Sequence, residues 1–143
     1  MQQMWNQAVV MGMLTLCTAQ DIKKRQIRLN SVLVFGILGI FLHMLWRMLS
    51  IGNILLGMSV GVALLLLSVL TAGKIGAGDA LILIVTGIYL GLEKNLELFF
   101  TGLFLCSMWS LCLLLLRKKS RKDSVPFVPF LLTAYMGMLV CAL

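Results

Sequence analysis

NILLGMSVGVALLLLSVLTA at residues 53–72, followed by GKIGAGDALI at residues 73–82, is the stretch that decides the fold class. Its first part is an unbroken apolar run, and about 20 such residues are enough for a helix to cross the hydrocarbon core of a bilayer. Its second part is a glycine-rich connection that ends on an aspartate before apolar sequence resumes. The stretch therefore predicts one membrane-spanning helix, a short polar return and the start of the next helix.

The composition of the whole chain agrees with a membrane protein. Of its 143 residues, 61% are hydrophobic and 12% are charged, and the mean hydropathy is +1.05. Soluble domains carry about a quarter charged residues. Only helices and closed barrels satisfy their backbone within lipid, and the sequence shows no period-two alternation. We therefore predict an all-α, polytopic fold in which residues 1–143 form a single transmembrane domain.

Six transmembrane helices are predicted from the apolar runs, at residues 4–20, 31–49, 53–72, 80–92, 96–116 and 126–143. The first has no basic segment before it and is interpreted as a retained span rather than a signal peptide. The fourth is short, because it covers about 20 Å of a hydrocarbon core that is about 30 Å thick. It is expected either to extend through Glu93 and Lys94 or to begin below the membrane surface.

The distribution of basic residues predicts the orientation of these helices. The connections after the first, third and fifth spans hold Lys23, Lys24, Arg25, Arg28, Lys74, Arg117, Lys118, Lys119, Arg121 and Lys122. The other side of the membrane retains Arg47 and Lys94. Because short basic connections stay in the cytoplasm, we predict that both termini lie outside the inner (cytoplasmic) membrane. The formal charge of +7 then reflects topology and contact with anionic membrane lipid, and no nucleic-acid partner is expected.

No metal ion or other cofactor is predicted. His43 is the only histidine, and the four cysteines form no CxxC pair. Single histidines and cysteines within apolar runs are more often packing residues than metal ligands.

Two aspartates are predicted to lie at the same face of the membrane. Asp21 follows the first span and Asp79 precedes the fourth. Spans 2 and 3 form a hairpin that returns the chain to the cytoplasmic boundary, so the two carboxyl groups can meet there. Each aspartate taken alone also has a simpler structural interpretation. Asp21 could form an ion pair with Arg25 one helical turn later, and Asp79 could be an acidic residue that stabilises the first turn of a helix. Ionisable groups at membrane depth are nevertheless candidates for function, and the pair suggests chemistry.

Water activation is the chemistry that two neighbouring carboxyl groups perform. In a site of low dielectric both groups cannot ionise cheaply, so the pair shares a proton. The ionised member can act as a base on water while the protonated member donates to a scissile carbonyl. Gly73, Gly76 and Gly78 are expected to tolerate positive φ or to admit a substrate strand or the other aspartate beside Asp79.

Three stretches of the chain resemble the type IV prepilin peptidases and their archaeal preflagellin relatives, the GxGD aspartic proteases. They are DIKKRQIRLN, GAGDALILIVTGIYLG and VPFVPF, and their order and spacing agree with that family over nearly the whole chain. The resemblance implies a catalytic pair, Asp21 and Asp79. It also implies residues that shape the site or contact substrate, namely Arg25, Asn30, Gly76, Gly78, Pro126, Phe127 and Pro129.

The sequence departs from the family's motifs at a few positions. Arg28 and Leu29 stand where the family usually has Pro and Asn, Asn30 comes one position late, and Leu81 replaces a lysine that is common two residues after the second aspartate. These departures concern substrate contacts or efficiency. VPFVPF resembles the PFxPF stretch of the family, and Pro126 and Pro129 both fit the first turn of a helix, with Ser124 as its cap.

The resemblance implies an endopeptidase that removes the short basic leader of prepilin-like precursors, of the Flp type or pseudopilins, at the cytoplasmic membrane face. The paired CxxC motifs that accompany methyltransferase activity in bifunctional members are absent from this sequence, so no methyltransferase activity is expected. Two other functions stay open: a catalytically silent assembly partner of the same fold, and a small ion-coupled transporter that uses both aspartates. The GxxxG pairs Gly57–Gly61 and Gly87–Gly91 allow close helix contact within one chain or in a homo-oligomer.

Overall fold

The computed structural model describes residues 2–24, 27–47, 49–116 and 125–142, and over these ranges it is helical without any strand. The helices are α1 (Gln2–Lys24), α2 (Leu29–Trp46), α3 (Ile51–Leu70), α4 (Ala77–Leu115) and α5 (Val128–Cys141). The predicted all-α class is confirmed. In the described part of the chain, α2, α3 and α4 are long and apolar enough to cross a membrane, and α5 is a shorter apolar helix.

The predicted helix boundaries differ from the observed ones by several residues. α1 continues beyond the predicted end of the first span and includes Asp21 and the lysines of its last turn, Lys23 and Lys24. α4 begins at Ala77 rather than at residue 80, which places Asp79 inside its first turn. The apolar runs mark where lipid can surround a helix, whereas the helical hydrogen bonds continue into the flanking polar residues.

The predicted turn at residues 93–95 is wrong, because the chain breaks its helical conformation earlier, at Gly91. Gly91 has φ 74° and ψ −173°, within a single helix that otherwise runs from Ala77 to Leu115. This backbone region is accessible almost only to glycine. Glu93 and Lys94 are helical, but they follow the break at Gly91, so they belong to the segment after it and do not extend the predicted fourth span.

At Gly91 the chain reverses direction instead of bending slightly. The Asn95 side-chain amide donates to the carbonyl oxygen of Leu83 at 3.0 Å, across a sequence separation of 12 residues. Twelve residues of straight α-helix would separate these positions by about 18 Å. The segment of α4 after Gly91 therefore folds back along the segment before it, and the Leu92 N–H that the break releases donates to Asn53 Oδ1 at 3.1 Å.

Asn95 joins three helical segments in the interior. It is fully buried, its amide also donates to the Gly57 carbonyl oxygen at 2.8 Å, and its oxygen accepts from Thr86 Oγ1 at 2.7 Å. Buried polar groups are costly in an apolar interior unless they are paired. This network holds α3 against both segments of α4.

α3 and the first segment of α4 pack with their backbones almost in contact. A Cβ atom added at Gly57 would lie 2.6 Å from the Gly87 carbonyl oxygen, and one at Gly61 would lie 2.7 Å from the Ala80 carbonyl oxygen. Position 57 thus faces 87 while position 61 faces 80, so the two helices run antiparallel. The close contact allowed by the glycine pairs is made within one chain.

The hydrophobic core lies between α1, α4 and α5. Its buried members include Met13 and Leu14 of α1, Ile82 of α4, and Leu131 and Tyr135 of α5. The surface is also apolar, with many large hydrophobic side chains exposed along α2 and α3. Water disfavours so much exposed apolar area, whereas lipid does not, and the protein is therefore a membrane protein.

His43 is a packed residue, as the sequence suggested. Its ring is buried, and Nε2 lies 2.6 Å from the carbonyl oxygen of Ile88, so it joins α2 to α4. Within the described residues no group of three or more His, Cys, Asp or Glu side chains could hold a metal ion.

Candidate active site

Asp21 lies where three helices approach one another. It belongs to the last two turns of α1 and is only 8% exposed. Its Oδ2 accepts a hydrogen bond from the backbone N–H of Val128, the first residue of α5, at 3.4 Å. This hydrogen bond joins the start of α5 to Asp21 across a sequence separation of 107 residues.

Asp79 faces the same site from the first turn of α4. The two carboxyl groups are close enough for the negative charge of Asp21 to act on Asp79. Asp79 is less deeply buried than Asp21. The structure therefore brings together the two aspartates that the sequence placed at one membrane face.

Gly76 makes room for the Asp79 side chain in its observed position. A Cβ atom at Gly76 would lie 2.8 Å from Asp79 Oδ2, closer than real Cβ atoms approach an oxygen. Gly76 has φ −63° and ψ 113°, a conformation open to any residue. Space for the carboxyl group, and not a positive φ, is the reason for a glycine here.

Gly78 is required by the connection between α1 and α2. A Cβ atom at Gly78 would lie 2.7 Å from the side chain of Ile27, so this part of the first motif packs directly on the second. Gly78 is helical, and of the three glycines in this connection only Gly73 has a positive φ, of 79°. Close approaches occur at Gly76 and Gly78, but they are made by the Asp79 side chain and by Ile27; an approach by Asp21 or by a substrate strand stays a prediction.

The start of α5 differs in detail from its prediction. Phe127 is the N-cap residue, Pro129 occupies the first turn, and Pro126 lies before the cap instead of inside the helix. Ser124, the predicted cap, lies outside the described residues. Pro129 has no N–H, and the N–H of Phe130 is bonded to the Phe127 carbonyl oxygen at 3.0 Å. The Val128 N–H is thus left to point at Asp21.

Asn30 and Arg25 are the remaining two residues that the family resemblance implies for the site. Asn30 lies in the first turn of α2 and is exposed. Arg25 lies outside the described residues, so its predicted contacts stay predictions.

Three further residues at this end of the molecule were not found by sequence reasoning. The charge of Asp21 acts on the thiol of Cys17, which lies one helical turn earlier on α1 and is buried, and the charge of Asp79 acts on Cys106 in the second segment of α4. Gln20 accepts from the Arg28 N–H at 3.1 Å and donates to Ser31 Oγ at 3.0 Å, which ties the start of α2 to α1. The four-residue spacing of Cys17 and Asp21 was a readable signal.

Cys106 gave no such signal, because its position depends on the reversal at Gly91. Asp79 lies about 18 Å along the helix before that residue and Cys106 about 22 Å along the helix after it. Only a chain that doubles back brings the two to the same level.

These features define a class: a helical membrane protein with two interacting carboxyl groups at one end of its helices. Residues 8–111 match the model of the type IV leader peptidase family, and this range includes both aspartates but not the start of α5. The chain belongs to the type IV leader peptidase family. No curated protein and no solved structure matches it.

Proposed function

We propose that the protein is an intramembrane aspartic endopeptidase that removes the leader from type IV prepilin-like precursors. Membership of a leader peptidase family supports peptidase activity on such precursors in general. The observation that carries the aspartic mechanism is the interaction between Asp21 and Asp79, which lie 58 positions apart in sequence and share one site.

The proposed reaction needs only these two carboxyl groups and one water molecule. The ionised carboxylate removes a proton from water, and the water oxygen attacks the scissile carbonyl carbon. The protonated partner gives its proton to the carbonyl oxygen, which forms a tetrahedral diol. When the C–N bond breaks, the first carboxyl group protonates the leaving amine and the second recovers a proton from a diol hydroxyl. Both carboxyl groups return to their starting protonation states. Pro126, Phe127 and Pro129 are proposed to form one wall of the site.

The proposed setting is the inner membrane, crossed six times, with both termini outside and the aspartates at the cytoplasmic face. The reversal at Gly91 supports this topology, because it makes two antiparallel segments of α4. The basic side chains Lys23, Lys24, Arg28 and Lys74, all exposed, belong to the same end as the aspartates. Short basic segments remain on the cytoplasmic side.

The proposed substrates are Flp-type prepilins or pseudopilins, cut between a short basic leader and an apolar helix. Co-expression with a pilin-like precursor from the same genome tests this. The expected result is a smaller product whose N-terminal sequence begins at the leader boundary, and the precursor expressed alone is the control. No methyl transfer to the new N-terminus is expected.

Two outcomes would replace the proposal. If the protein accumulates in the membrane and cleaves none of the pilin-like precursors, a silent assembly partner becomes the better reading. If proteoliposomes instead show proton or cation flux that depends on Asp21 and Asp79, the protein is a transporter.

Gly76→Ala is expected to lower cleavage without unfolding the protein. The added methyl group would meet Asp79 Oδ2 at 2.8 Å, and a carboxyl group can rotate away where backbone could not. Misplacing a catalytic group by about 1 Å can cost about 100-fold in rate. The measurement is cleavage rate per amount of membrane-inserted protein, with Gly137→Ala, which meets nothing within 4 Å, as the matched control. Equal rates for the two variants would contradict this explanation of Gly76.

A further inference from the structure

The two aspartates have different surroundings. Asp21 Oδ2 accepts the Val128 N–H at the first turn of α5, and Asp21 is more than nine-tenths buried. In the described part of the chain, no hydrogen bond reaches the Asp79 carboxyl group. A hydrogen bond from an N–H group favours the charged form of a carboxylate.

The sequence at the start of α5 directs one N–H donor toward Asp21. A helix begins with N–H groups that have no partner within the helix. Here proline removes the donor at position 129, and the N–H groups of Phe130 and Leu131 both bond to the Phe127 carbonyl oxygen. The Val128 N–H is the remaining donor of this first turn. It lies at the N-terminus of α5, which is the positive end of the helix dipole.

We propose that the first turn of α5, through the Val128 N–H, holds Asp21 as the ionised member of the pair. Asp21 is then the base that activates water, and Asp79 is the acid that protonates the scissile carbonyl oxygen. Val128 is a positioning residue that acts through Asp21. This inference rests on the proposed peptidase function and adds the division of roles between the two carboxyl groups.

Two features of the helices act in the opposite direction. Asp79 lies in the first turn of α4, where the helix dipole favours a negative charge, but no N–H donates to its side chain. Asp21 lies near the end of α1, where the dipole disfavours a negative charge, but Lys23 and Lys24 occupy that last turn. The Val128 N–H lies 3.4 Å from a buried Asp21 oxygen and bonds directly to the carboxyl group, whereas a helix dipole acts on it without a specific donor. Among the described residues, the charges of the pair also act on the thiols of Cys17 and Cys106.

Val128→Pro tests the donor directly, because proline lacks the N–H and suits the first position of a helix, although Phe127 must leave the αR region (φ −87°, ψ −34°) that a following proline disfavours. In the full-length protein, the acid side of the pH profile for leader cleavage should move to higher pH by about one unit, which lowers the rate there about tenfold. Val128→Ala, which keeps the N–H, should leave that side of the profile in place. A folded Val128→Pro protein with an unmoved acid side, or equal shifts in both variants, would overturn the proposal.

A second comparison does not depend on how well proline is accepted. Asparagine at position 79 can still donate a hydrogen bond to a carbonyl oxygen, whereas asparagine at position 21 cannot take a proton from water. Asp79→Asn should therefore keep about tenfold more residual cleavage than Asp21→Asn, and it should lose the alkaline side of the pH profile. The opposite order of residual rates would overturn the division of roles. If the wild-type protein cleaves no precursor, the proposed function fails instead, so the two failures are distinguishable.

Discussion

Replacing Asp21 or Asp79 with asparagine is expected to reduce leader cleavage at least about 100-fold, the usual lower range for loss of a general acid or base. Each substitution keeps the size of the side chain and removes its ability to exchange a proton. The protein should still insert and fold, because the core lies between α1, α4 and α5 and does not depend on either carboxyl group. An exchanged amide at position 21 can also still accept the Val128 N–H.

Cleavage of a co-expressed precursor and the amount of inserted protein are measured on the same membranes. Glu97→Gln is the matched control, because this exposed glutamate follows Gly91 and lines a cavity of about 710 Å³ at the other end of the helices. Its loss should leave the cleavage rate unchanged. Cleavage that persists in both aspartate variants would remove the aspartic mechanism. Failure of a variant to accumulate would instead make that aspartate structural.

The sequence predicted which two acids would meet but not how they are held. The prediction depended on counting membrane crossings, and the interaction between Asp21 and Asp79 agrees with it. The Val128 hydrogen bond could not be inferred, because it joins residues 107 positions apart through tertiary packing. The role of Gly76 could not be predicted either, because the sequence does not distinguish a glycine that makes room for a side chain from one that permits a positive φ.

The helical class followed from the apolar runs, but helix ends and the course of α4 did not. Hydropathy changes near the membrane surface, whereas a helix ends where its backbone hydrogen bonds end, so α1 continues to Lys24. Glu93, Lys94 and Asn95 read as a polar turn. The helix instead breaks at Gly91, whose conformation is accessible almost only to glycine. Asn53 accepts the Leu92 N–H next to the break, and Asn95 donates to the Gly57 carbonyl oxygen. Among these polar residues, Asn95 belongs to the buried hydrogen-bond network, but the chain turns at Gly91.

The packing of α3 on α4 depends on the absence of a side chain at Gly57. A Cβ atom there would lie 2.6 Å from the Gly87 carbonyl oxygen and 2.8 Å from the Gly91 carbonyl carbon. Both are backbone atoms, so no side-chain rotation relieves the contact. In Gly57→Ala the two helices must separate, which would also strain the hydrogen bond from Asn95 to the Gly57 carbonyl oxygen and the reversal at Gly91.

We therefore expect Gly57→Ala to lower the free energy of unfolding by about 1–3 kcal/mol or more, the range for overpacking a close contact. Gly52→Ala lies on the same helix and meets nothing within 4 Å, so it should leave stability unchanged or raise it slightly. Both are measured by denaturation of the detergent-solubilised proteins, followed by circular dichroism. Equal stability of the two variants would show that α3 and α4 do not pack through Gly57. Because the segment of α4 that Gly57 contacts also carries Asp79, loss of this packing should reduce cleavage as well.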